Sequence, residues 1–151
     1  MATRAQKPKR NTIRANTGVL KIEVNDAGDY ITINTADQDF AVRLMDTMEE
    51  FESELPKMTS EIAALDKTDM DDKTKFREAL RLTAGISRVF GEKVDTIFGP
   101  NTCVKVFGTP APSVECFGEF FEQLMPYIQK SADERQKAIK AKYSAARKGN
   151  V

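Results

Sequence analysis

The chain has 151 residues, with 23 Lys and Arg balanced against 23 Asp and Glu, and no histidine. That length fits one domain whose core covers roughly 70% of the surface the unfolded chain exposes, so neither a metal nor a disulfide is needed to hold it. The missing histidine removes the commonest general base and metal ligand at neutral pH, the short apolar runs exclude a membrane span, and the basic start MATRAQKPKR has no apolar segment behind it to make a secretory signal.

The zero net charge hides a segregation. Residues 1–14 carry five basic groups and no acid. The stretch 37–78 holds thirteen acidic residues against six basic, and 130–148 holds seven basic against Asp133 and Glu134. Basic ends around an acidic middle can pair within the chain, between copies, or with an external polyanion. Residues 1–17, rich in Thr and Asn, are expected to be a disordered basic arm. Residues 18–128 are expected to form a single domain, and 129–151 a basic tail that is an exposed helix or orders on a partner.

In chain order, GVLKIEV at 18–24 and Tyr30 to Asn34 are rich in β-branched residues, and the turn-like 25–29 between them predicts a hairpin over 18–34. An isolated hairpin is marginal in water, so it must pack on helices or on another copy. Helices follow from about residue 37, where Asp37 or Asp39 can cap. Phe40, Leu44, Met48, Phe51 and Leu55 recur at steps of three and four, and Pro56 is expected to end or kink that helix. A longer helix beginning near Asp71 or Asp72 keeps Phe76, Ala79, Leu80, Thr83, Ile86, Val89, Phe90, Val94 and Ile97 on one face, with a bend or break expected at Gly91 and a stop at Gly99. A short helix fits 102–107. The last, capped by Ser113, presents Phe117, Phe120, Phe121, Leu124 and Ile128, with a kink expected at Pro126. The fold class is therefore mainly α with a small N-terminal β-hairpin.

Chemistry-bearing motifs are missing. There is no phosphate-binding glycine loop and no nucleophile turn. The acidic run at 69–72 resembles the start of a calcium loop, but Thr74 and Leu80 occupy the positions where Gly and Glu are required. Cys103 and Cys116, with twelve residues between them, read as small apolar core residues in a reducing compartment, a disulfide or a reactive thiol being the alternative. Lys and Arg at the ends could touch phosphate, but no recognition helix or stacking sheet accompanies them. No catalytic, cofactor-binding or metal-ligating residue is expected, no cofactor is implied, and the chain reads as non-enzymatic.

Four Phe-Gly pairs, 90–91, 98–99, 107–108 and 117–118, punctuate the C-terminal half. One reading is a disordered Phe-Gly repeat. The periodic, apolar residues between the pairs favour another: each Phe docks in a core and each Gly stops or bends a helix. Residues 94–108 (VDTIFGPNTCVKVFG), followed by Cys116 to Leu124 (CFGEFFEQL), are similar to a signature in small proteins of tailed bacteriophages and prophages of Gram-positive hosts. Asn101 stands where Gly is commoner.

Those proteins look like tail assembly chaperones, which coat the tape measure protein before tail-tube subunits polymerise. The resemblance implies a non-enzymatic protein of the host bacterial cytoplasm that partners the tape measure or the major tail protein, with self-association as a further option. A structural tail component and a small nucleic-acid-binding regulator are the alternatives. The candidate contact residues are Phe40, Leu44, Met48, Phe51 and Leu55 on one stripe and Phe117, Phe120, Phe121 and Leu124 on the other. Either stripe could instead be core, and both cannot be wholly contact surface.

Overall fold

A computed structural model describes residues 10–15 and 17–149. Most of the expected disordered arm, 1–9 and 16, lies outside the described residues. Residues 10–15 and 17 are exposed and without regular structure.

Strands β1 (Val19–Glu23) and β2 (Tyr30–Asn34) form the hairpin, antiparallel, with Leu20 opposite Ile33 and Ile22 opposite Ile31. That register places the four aliphatic side chains on one face, because successive side chains in a strand alternate. Ile31 and Ile33 are buried, while Lys21 lies 4.6 Å over the Tyr30 ring on the outer face. Asn25 organises the turn. Its Oδ1 accepts from the Ala27 and Asp29 N–H groups, and its Nδ2 donates to the Lys105 carbonyl at 3.0 Å. The marginal hairpin is thus pinned to the helical body.

Helix α1 (Gln38–Leu65) is capped by Asp37, whose carboxylate accepts from the Phe40 N–H. Of the end or kink expected at Pro56, the end does not occur. Proline interrupts a helix at a cost of about 3 kcal/mol, but the apolar spacing runs on through Met58, Ile62 and Leu65. Burial of Met58 and packing of Ile62 offset the lost bond. Helix α2 (Asp72–Phe98) starts under Asp71, which accepts from the Thr74 N–H at 2.8 Å, and returns along α1. A Lys93–Glu50 ion pair ties the two. Helix α3 (Thr102–Phe107) and the long α4 (Val114–Gly149) complete the chain, and α4 passes both Pro126 and the expected boundary at residue 129 without interruption. What changes there is cover: Phe117, Phe121 and Leu124 are buried, whereas almost every described residue beyond Arg135 is exposed.

The segment 94–108 is a structural device. Asn101 adopts a left-handed backbone (φ 65°), a conformation that Asn tolerates better than other residues with a side chain and that explains why Gly is the alternative there. Its side chain caps nothing, so Asp95 reaches across from α2 to accept the Cys103 N–H at 2.8 Å. Thr102 closes the same corner by donating to the Gly99 carbonyl at 2.7 Å.

The four glycines divide. Gly99 and Gly108 stop helices at positive φ, as expected. Gly91 and Gly118 lie inside helices that do not break. Gly91 is required for another reason: a Cβ there would sit 2.5 Å from the Pro110 carbonyl oxygen and 3.2 Å from Cys103 Sγ, so the missing side chain admits the α3–α4 loop.

Eight of the nine phenylalanines join one ring network through Phe40–Phe98, Phe98–Phe120, Phe120–Phe107, Phe107–Phe117, Phe117–Phe51, Phe51–Phe90 and Phe51–Phe121, with centroids 5.2 to 6.0 Å apart. All but the tilted Phe51–Phe117 pair are edge-on, and such pairs add about 0.5–1.5 kcal/mol beyond the area they bury.

Chemical denaturation should separate these roles. Gly85→Ala, whose Cβ meets nothing within 4 Å, is expected to stabilise the protein by about 1 kcal/mol. Gly91→Ala should destabilise it by about 1–3 kcal/mol, because overpacking against the loop backbone outweighs the helix propensity gained. Phe51→Ala should cost about 3–5 kcal/mol.

Candidate protein-contact surfaces

The two stripes singled out in the sequence meet each other. Phe40, Leu44, Phe51, Phe117, Phe121 and Leu124 are buried, and Met48, Leu55 and Phe120 are half-buried against them. Phe51 of α1 lies 6.0 Å from Phe117 and 5.7 Å from Phe121 of α4. These residues therefore form the core rather than two contact surfaces. The physical reason is supply: with no Trp and nine Phe, the chain needs both of its strongest stripes to close one core.

Three other surfaces remain, and the first is on α2. Phe76, Leu80, Thr83, Ser87, Phe90 and Val94 alternate in steps of four and three, the 3.5-residue spacing of a helix–helix seam. The C-terminal half of this seam is closed, with Ser87, Phe90 and Val94 buried. Its N-terminal half is open: Phe76 is 67% exposed and Leu80 is 52% exposed. Ala79, Leu82 and Ile86, set off around the helix, are each half-buried. Among the described residues Phe76 is the one phenylalanine outside the ring network.

The second surface is a groove of about 520 Å³ between α1 and α4. Met48, Phe51, Phe121 and Met125 line its apolar part, and Glu52, Glu115, Glu119 and Glu122 line the rest. The lining contains four carboxylates and no basic side chain. Glu115, Glu119 and Glu122 recur at steps of four and three, so α4 presents them along one side.

The third surface is the end of α4. Ile139 and Tyr143 stand one turn apart and are 48% and 70% exposed, with Lys137, Lys140, Lys142 and Arg147 around them, all exposed.

Sequence reasoning missed the open half of α2 and the glutamate-lined groove, although both periodicities are in the sequence. It could not tell which part of a uniform stripe would be covered, because cover is a tertiary property. Among the described residues no cluster of three His, Cys, Asp or Glu could hold a metal ion, and no helix is long and apolar enough to cross a membrane.

The two thiols differ. Cys103 is buried, and burial together with the nearby Asp95 carboxylate pushes its thiol up to about 11 from 9.0. Cys116 is partly exposed, with its sulfur 3.3 Å from the Ser113 hydroxyl.

These features define a small, mainly helical protein with a two-stranded N-terminal hairpin. Its residues 28–150 match the model of DUF6673, a family of unknown function, and the chain belongs to that family. The match takes in β2 and all four helices. Comparison with curated proteins and with solved structures gives no match.

Thiol labelling of the native protein should modify Cys116 and leave Cys103 untouched until the chain is unfolded. Between pH 9 and 11 the unfolded chain has released the Cys103 proton and the folded chain still holds it. Stability should accordingly fall as pH rises through that window, more in the native sequence than in Cys103→Ala.

Proposed function

We propose that this protein is a non-enzymatic phage tail assembly chaperone that acts in the host cytoplasm. It binds a tail component, the tape measure or the tail tube protein, before assembly. The observation that carries this reading is the half-open seam of α2, where Phe76 and Leu80 continue a stripe that packs the core further along. Large apolar groups held at seam spacing on a rigid helix suit reversible cover of a partner's apolar helical face. A tape measure is expected to present such faces along its length. The resemblance of residues 94–108 to phage proteins supports the same class, and the segment's role in folding explains why it would persist without any chemistry of its own.

The partner helix would extend the α2 seam, so binding should depend on side chains that contribute little to the fold. Exposed substitutions away from special features usually change stability by less than about 0.5 kcal/mol.

Co-expression with the tape measure candidate should yield a soluble complex. The double variant Phe76→Ser, Leu80→Ser should keep its denaturation midpoint and lose that complex by co-purification. A tape measure equally soluble without this protein, or a complex indifferent to the double variant, contradicts the proposal. Mass spectrometry of purified particles should find the protein absent from mature tails; its presence there would favour a structural tail component instead.

A further inference from the structure

We infer that the glutamate-lined groove between α1 and α4 receives the basic end of α4 from a second copy of this chain, in a head-to-tail association. The groove sets the half-buried Met48 and Met125, with the buried Phe51 and Phe121 rings behind them, beside four carboxylates, with no basic side chain in its lining. The α4 end is its complement: Ile139 and Tyr143 form a small apolar ridge, and Lys140, Lys142 and Arg147 flank it at roughly 100° per residue. Apolar meets apolar and each cationic flank meets a carboxylate rim, so burial supplies attachment and charge sets the register.

The pairing must be between copies. Groove and ridge lie on the same continuous helix, Val114–Gly149, with about twenty residues between their centres, which at 1.5 Å per residue is about 30 Å of rigid rise. The ridge cannot fold back onto its own groove without breaking α4. Two different surfaces meeting in this way make a heterologous contact, which leaves a groove open at one end and a ridge free at the other. Such contacts close into rings or extend as helical arrays. The zero net charge of the chain fits this arrangement, since acidic and basic surfaces neutralise each other along the assembly. This association uses a different surface from the α2 seam and stands or falls separately from the chaperone reading.

Sedimentation of the full chain across concentration and salt tests it. At low salt the mass should rise with concentration above the 16.9 kDa monomer, and about 0.5 M salt, where screening acts within roughly 4 Å, should return the monomer. Glu119→Lys with Glu122→Lys should weaken association by about tenfold or more, and so should Lys140→Glu with Arg147→Glu. Circular dichroism should show both variants folded, since all four side chains are exposed. Mixing the two variants should restore association, because each reversed surface then meets its complement. A monomer at every concentration and salt overturns the inference. So does an oligomer that survives either reversal, one that the mixture fails to restore, or one that is lost when only residues 1–14 are removed.

Discussion

Edge-to-face packing of phenylalanine rings is the interaction on which the rest of this structure depends. The rings come from α1, α2, α3 and α4 and are threaded through Phe51, Phe117 and Phe120. Elements that would otherwise be weak gain their position from it. The six-residue α3 is too short to hold itself as a helix in water. It is fixed by the Phe107 ring against Phe117 and Phe120, by the Asp95 cap on its Cys103 N–H, and by the close approach that Gly91 permits. The hairpin then rests on the finished helical body through Ile31, Ile33 and the Asn25 bond to Lys105.

A core built from so few large side chains has a limited reach. It closes the C-terminal half of α2 and leaves Phe76 and Leu80 beyond its edge. It seats the first part of α4 and leaves the basic remainder exposed. The acidic residues are partitioned in the same way, with Glu115, Glu119 and Glu122 on the side of α4 that turns from the rings toward the groove. Sequence supply thus sets the extent of the core, and the extent of the core sets which surfaces stay available for contact. In that sense the proposed function follows from incomplete cover.

Much of the fold was legible in the residues. The hairpin, the Asp37 and Asp71 caps, the Gly99 and Gly108 stops and the helix between them follow from local chemistry that tertiary packing reinforces. The helix end that Pro56 allowed and the break that Gly91 allowed do not occur, because local rules score a residue alone. At Pro56 the continued burial of Met58 overrides the lost hydrogen bond, and at Gly91 the helix continues while the glycine serves a neighbouring loop. The contact residues were the least legible. The strongest apolar stripes could be read as contact surface or as core, and they pack against each other in the core. The open half of α2 looked like part of one uninterrupted stripe, since periodicity shows which side of a helix is apolar and is silent on what lies against it.

The central claim is that α2 has one closed half and one half held open for a partner helix. Amide hydrogen exchange followed by mass spectrometry, on the free chain and on its complex with the tape measure candidate, tests this most directly. In the free chain, amides of 74–84 should exchange well before those of 87–98, and complex formation should slow the first group while leaving the second unchanged. Uniform protection along α2 in the free chain, or a complex that protects other elements and leaves 74–84 as it was, would contradict the account.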